Sequence, residues 1–278
     1  MATIVAGSLT THGPQLTIKP VTADPQQSVR FRRAMAEARR RLEAARPDVL
    51  VVFSNDHLQN FFYDNMPAFC VGVGERYWAP SEGGGNTLKI PARQISGATE
   101  WSRAFVKTAL ESDFDVSYAH ELEFWDDLSV PLSFLMPEDT IPVVPILINC
   151  VAPPLPRPRR CYDLGGLVKT FVESVRPDAE RVALLGTGGI SHRIGVPGHG
   201  TISPEFDQRV LGAIQRGDGE ALAALTYDEI EEEGGNGGQE IRNWIPVLGA
   251  LPGRKGQVLY DEPVPDWLVG TGVVWMEV

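Results

Sequence analysis

Apolar and polar positions divide this chain into short, nearly continuous apolar runs and longer stretches of helical period. "TIVAGSL" (3–9) and "DVLVVFS" (48–54) are runs of the first kind. Such runs predict strands covered on both faces. Between them, "PQQSVRFRRAMAEARRRLEAARP" (25–47) sets Ala, Leu and Met at helical spacing against a charged face, and Pro47 ends it. The pattern predicts further strands over 68–74, 115–121, 141–150 and 181–186. It predicts helices over 97–113, from a start at Ser129 with Pro131 in the first turn, after the proline-rich connector 153–160, and over 204–232 and 239–250. Residues 77–91 read as a loop-rich flap. Alternation of strand and helix predicts one α/β domain over residues 1–278, with a mostly parallel or mixed central sheet flanked by helices. Sites in such folds gather outside the carboxyl ends of the strands.

Charge and composition narrow the partners. The 278 residues carry a net charge of −11, the opposite of what a phosphate backbone recruits, so no nucleic acid is expected. No run of about 18 apolar residues occurs, so no membrane span is expected. The three cysteines, Cys70, Cys150 and Cys161, are scattered and form no Cys-x-x-Cys pair. The first residues have neither the basic nor the apolar region of a signal peptide. A reduced, cytoplasmic setting is expected.

The histidines carry the chemical signal. There are five: His12, His57, His120, His192 and His199. His12 follows the first predicted strand, His57 the strand 48–54, and His192 the strand 181–186, beyond "GTGG". One histidine in a loop is more often structural than catalytic; three at strand ends is what an α/β site requires. "GTGG" suits a tight turn or a phosphate cradle, but the spacing fits neither the Walker A pattern nor the dinucleotide fingerprint. "GISHR" lacks the Gly-x-Ser-x-Gly elbow of a serine hydrolase. The acidic run 228–233 reads as a solvated helix face.

Two imidazoles and a carboxylate on one side of a metal leave the opposite positions open, as in non-haem Fe(II) oxygen-activating centres. Such ligands need converging loop ends, not sequence proximity. His12, His57 and a distant acid meet that need, and Glu240 is the favoured acid. The glycines of "GGNGG" before it open backbone paths closed to other residues and let another segment or a substrate come close.

"SLTTHGP", "VVFSNDHLQNFF", "GTGGISH" and "GNGGQEIRNWIPVLGAL" occur in this order, from residue 4 to about 250. Together they resemble the class III (LigB-type) extradiol ring-cleavage dioxygenases, with the β subunits of protocatechuate 4,5-dioxygenase and the gallate dioxygenases as nearest kin. The resemblance implies a LigB-like fold and Fe(II) held by His12, His57 and Glu240. It implies His192 as acid/base beside substrate and dioxygen, and opening of a catechol-type ring with insertion of both atoms of O2. It also implies a homo-oligomer, or an assembly with a small α-type subunit.

One departure stands out. Family members commonly carry Asp-His-Gly or a similar tripeptide before a "VPL" segment, and that His lines the substrate pocket. Here the stretch is "FWDDLSVPLSFL", so Asp127 takes that place, with His120 seven residues upstream as a second pocket residue. An ionised Asp127 there would disfavour an anionic substrate. Aminophenol- or hydroxypyridine-like compounds therefore stand beside protocatechuate- and gallate-like catechols. The same donor set also suits a zinc-dependent hydrolase or lyase, while a non-enzymatic relative would be expected to lack part of it. Ser8, Thr10, Thr11, Asn55 and Asp56 flank the two histidines and read first as turn residues.

Overall fold

The apolar runs form the centre of the molecule. In strand β1 (Thr3–Thr10) the last five residues are buried, and in β2 (Val49–Ser54) all six are. The computed structural model describes residues 1–278. The remaining strands are β3 (Phe69–Gly72), β4 (Arg76–Ala79), β5 (Arg93–Ser96), β6 (Ser117–Ala119), β7 (Val143–Ile148), β8 (Arg181–Thr187), β9 (Gly256–Tyr260), β10 (Pro263–Val264), β11 (Val269–Gly270) and β12 (Val273–Met276). Eight of them form one sheet in the order β6-β3-β7-β2-β8-β1-β12-β9. The inner four, β7, β2, β8 and β1, are parallel. β3 joins antiparallel to β7, and β12 joins antiparallel to β1. The sheet is therefore mixed, and the carboxyl ends of its four central strands open on one edge.

Helices cover both faces. They are α1 (Gln15–Ile18), α2 (Pro25–Ala45), α3 (Gly84–Leu88), α4 (Thr99–Glu111), α5 (Asp126–Leu135), α6 (Pro158–Val175), α7 (Pro204–Arg216), α8 (Gly219–Ala223), α9 (Tyr227–Gly234) and α10 (Ile245–Ala250). Alternate β2 residues divide between the two sides. Leu50 and Val52 pack with Phe31, Met35 and Leu42 of α2 and Leu132 of α5. Val51 and Phe53 pack with Phe105 of α4, Phe171 of α6 and Val247 of α10. Each such large side chain contributes about 1.5–3 kcal/mol by burial.

Local chemistry explains the departures from the predicted elements. The segment 204–232 is broken into three helices. Gly217 ends α7 at φ 75°, Asp218 caps α8, and Thr226 with Glu229 forms a capping box on α9. α5 begins three residues before Ser129, with Asp126 and Asp127 in its first turn, where the helix dipole favours acids. Residues 77–91 belong to an antiparallel β4–β5 ribbon that encloses α3. The strands after residue 250, where the apolar pattern predicts nothing, are short and finish the sheet edge. No helix is long and apolar enough to cross a membrane.

Candidate metal centre and active site

The four parallel strands deliver their following residues to one cavity. His12 follows β1, His57 follows β2, Cys150 and Val151 follow β7, and His192 follows β8; all line a cavity of about 450 Å³. Glu240 reaches it from a 3-10 segment, Asn236–Asn243, that leads into α10.

His12, His57 and Glu240 converge. His57 Nε2 lies 3.0 Å from Glu240 Oε1, and His12 Nε2 lies 3.1 Å from Glu240 Oε2. The two rings stand edge to face with centroids 5.1 Å apart. Each imidazole is turned by a partner on its other nitrogen. His57 Nδ1 meets Asp126 Oδ1 at 3.2 Å, and His12 Nδ1 meets the Thr187 hydroxyl at 3.2 Å. Thr187 Oγ1 in turn lies 3.0 Å from the Asp127 carbonyl, which only accepts. The Thr187 proton goes to that carbonyl or to Ser54 Oγ, 2.8 Å away, and either choice leaves Thr187 to accept from His12 Nδ1. Both Nε2 lone pairs then face Glu240, the arrangement that ligating histidines use. Glu240 itself is held by the Gly189 N–H, which donates to Oε2 at 2.6 Å.

The fit to a cation can be read from these atoms. The three donors lie within 4.8 Å of one another. His12 Nε2 is buried and has no aligned hydrogen-bond partner, despite its distance to Oε2. Burial opposes charge on Glu240, yet the facing imidazoles overcome it and hold the carboxyl well below its usual range. At His57 burial also opposes charge, and Asp126 with Glu240 raises the ring well above its ordinary value. The cluster thus calls for positive charge at the point the three side chains share. Two nitrogens and one oxygen suit a divalent first-row metal.

His192 faces the same cavity without joining the cluster. Its backbone is fixed by His192 N→Gly234 O at 2.9 Å and Gly237 N→His192 O at 3.0 Å. Its ring lies between two glycines. A Cβ on Gly237 would stand 2.1 Å from His192 Nε2, and one on Gly189 would stand 2.6 Å from Cε1. Nδ1 is buried with no partner, and burial lowers the ring's pKa, so His192 is held neutral. A neutral imidazole beside a cation site is a competent proton acceptor.

A family model for the catalytic LigB subunit of aromatic ring-opening dioxygenases matches residues 7–272. The chain belongs to this family. A 2,3-dihydroxyphenylpropionate/2,3-dihydroxicinnamic acid 1,2-dioxygenase of Photorhabdus laumondii is 30% identical to it over 275 residues, 82% of this chain and 84% of the relative. A protein of the same name from Klebsiella pneumoniae is 29% identical over 299 residues, 90% and 92% of the two chains. An uncharacterized Escherichia coli K12 protein of solved structure shares the fold at TM-score 0.63 and 15% identity, over 98% of this chain and 100% of that one. The LigB-family chain is accordingly a ring-cleavage dioxygenase. The two curated relatives are named for a dihydroxyphenylpropionate, not for protocatechuate or gallate.

Two expected pocket residues lie elsewhere in this LigB-family enzyme. The Asp127 carboxylate is buried away from the cavity and accepts from the Trp125 N–H at 3.1 Å. Successive helical residues point about 100° apart, so only one of the Asp126–Asp127 pair can face His57, and it is Asp126. Burial, with the neighbouring Asp126 charge adding to it and His57 opposing, pushes Asp127 up to about 7. The Asp127 contribution to the site is its backbone carbonyl. His120 is exposed at the end of the edge strand β6. Three strand spacings, about 14 Å, separate that strand from β2.

Ser8, Thr11 and Asp56, beside the two histidines, behave as ordinary loop and strand groups, whereas buried Asn55 accepts from Asn243 of the segment that bears Glu240. Asp56 accepts from the N–H groups of Asn60 and Phe61, and Ser8 and Thr11 donate to the carbonyls of Val274 and Gly272. Asp126 and Thr187 are the partners that sequence reading missed. A signal existed for each: paired acids at a helix start, and a threonine ending a strand in register with Thr10. The ribbon at 77–91 does not line the cavity. Its wall there comes from Arg193, Ile194, His199 and Trp267 to Val269.

Proposed function

We propose that this enzyme is an Fe(II)-dependent extradiol dioxygenase that opens the ring of a catechol carrying a substituent beside its hydroxyls. The observation that carries this reading is the convergence of His12 Nε2, His57 Nε2 and Glu240, each turned from behind by its own partner, on a cavity that also holds a neutral His192. Fe(II), when bound there, supplies Lewis acidity toward the substrate hydroxyls and a redox couple for O2. His192 takes a proton from a substrate hydroxyl and later returns it, which its buried neutral ring suits. Leu155, Ile194, Trp267 and Leu268 form an apolar wall that holds the ring and excludes water. The volume of about 450 Å³ leaves room beyond a single ring and falls in the usual range of about 300–1,000 Å³ for small-molecule sites. The relatives' names, for catechols substituted next to a hydroxyl, support the same class.

The test is anaerobic reconstitution with Fe(II), followed by oxygen and a panel of 2,3-dihydroxyphenylpropionate, protocatechuate and 2-aminophenol. One O2 consumed per ring, with a new near-visible absorbance, is expected for the first compound. Full activity with Zn(II) alone, or without oxygen, would overturn the proposal.

A further inference from the structure

We infer that Asn243, through Asn55, is a positioning residue for Glu240: it holds the segment Asn236–Asn243 in the 3-10 register that aims the carboxylate at His12 and His57. This rests on the ligand set proposed above. The segment keeps 3-10 form for eight residues. Runs longer than three or four residues are uncommon, because the hydrogen-bond geometry is poorer than in an α-helix. Something outside the local backbone must therefore favour it here.

The side chains supply a reason. In a 3-10 helix residues i and i+3 eclipse, so Gly237, Glu240 and Asn243 form one stripe. That stripe faces the active site throughout. Gly237 leaves room for the His192 ring, Glu240 meets His12 and His57, and Asn243 enters the frame behind them. At α-helical pitch Glu240 would lie about 60° from the line of Asn243, and Gly237 about 120°. One anchored end thus fixes the direction of all three.

Asn243 is that anchor. Its Nδ2 donates to Asn55 Oδ1 at 2.6 Å, and its Oδ1 accepts from the Cys150 thiol at 3.4 Å. Both asparagines are fully buried. Asn55 stands two residues before the ligand His57, and Asn243 three residues after the ligand Glu240. The amide pair therefore joins the two ligand-bearing segments, and Cys150 ties the same amide to the end of β7. β8 is shaped to admit the segment. A Cβ on Gly186 would stand 2.7 Å from Asn243 O, and one on Gly188 would stand 2.8 Å from Glu240 O. An amide donor left unpaired in such a place is costly, which makes the register an all-or-none choice.

The experiment uses Co(II) added to metal-free protein, with affinity from chelator competition and coordination geometry from the visible absorbance. Asn243→Ala and Asn55→Ala should each weaken Co(II) binding by about 10-fold to 100-fold and alter the absorbance, the scale set by groups that orient ligands. The double variant should bind no more weakly than the weaker single one, because both remove the same contact. A role in folding alone would lower the melting temperature of the metal-free protein and leave affinity and spectrum at wild-type values; that result, or additive losses, overturns the inference. Wild type gives a second reading that requires no variant. The amides of Gly238 and Trp244, bonded to Gly235 O and Ile241 O, should exchange slowly with solvent before metal is added. Rapid exchange until Co(II) binds would show that the metal, not Asn243, sets the register, and would overturn the inference. Failure of wild type to bind Co(II) tightly would instead remove the ligand assignment, and the inference with it.

Discussion

His12 Nδ1 rests 3.2 Å from the hydroxyl of Thr187, the last residue of β8. This contact sets which nitrogen of His12 faces Glu240. Thr187→Val removes the acceptor and frees the ring to turn, and Asp126→Asn removes the charge behind His57. Each should lower metal affinity by about 10-fold to 100-fold, the range for partners of ligating histidines. Competition against a chelator of known affinity measures it. Thr187→Ser keeps the acceptor and should stay near wild type; Thr187→Val at wild-type affinity would remove the role.

Removal of a ligand is a harsher change. His12→Ala, His57→Ala and Glu240→Ala should each abolish tight iron binding, seen as iron content near zero after desalting. Each variant should keep the far-ultraviolet circular dichroism of the parent, because the ligands lie at strand ends outside the two packed cores. Wild-type iron content in all three would reject the ligand assignment.

His192→Ala should separate binding from turnover. Iron should stay, since His192 lies outside the convergent cluster, while kcat falls by about 10²–10⁴-fold, the usual contribution of a general acid/base. Gly237→Ala tests the same ring from the other side. Its Cβ would stand 2.1 Å from His192 Nε2 and must displace it. We expect iron retained, activity reduced as in His192→Ala, and a stability cost of about 1–3 kcal/mol from overpacking.

Asp207 gives the fold a pH dependence. Its carboxylate accepts from the Ser191 N–H at 2.8 Å. Burial pushes it up from 3.8 to about 7, against the lowering effect of the Ser191 hydrogen bonds. The folded chain therefore keeps a proton that the unfolded chain gives up above about pH 4. Wild-type stability should fall as pH rises from about 4 to about 7 through this group and level off above. Asp207→Asn keeps the acceptor and removes the titration. Between about pH 5 and 8 it should gain on the order of 2 kcal/mol relative to wild type in urea unfolding. Parallel stability curves for the two proteins would refute this.

Much of this architecture is written in local pattern. Unbroken apolar runs mark β2, β7 and β8 because a strand covered on both faces has no polar side to alternate with. Histidines just past such runs mark the site because parallel strands end on a common edge. The rest depends on what lies beyond local reach. Which of two adjacent aspartates faces His57 is set by the rotation of α5, and the sequence shows only that both are there. The glycines before Glu240 read as a flexible entry for that carboxylate. In the structure Gly237 instead makes room for the His192 ring, brought beside it from 45 residues away, and only the fold places the two together. The short C-terminal strands have too few residues to show a period.

The end of β8 is the common rail of the active site. Thr187 meets His12, the Gly189 N–H donates to Glu240, and His192 faces the same cavity; Arg193 follows immediately on its wall. Six residues, 187–192, carry all three of these groups, and Arg193, Ile194 and His199 among the next eight line the cavity. A designer can therefore exchange 195–198 while leaving the groups at the end of β8 in place.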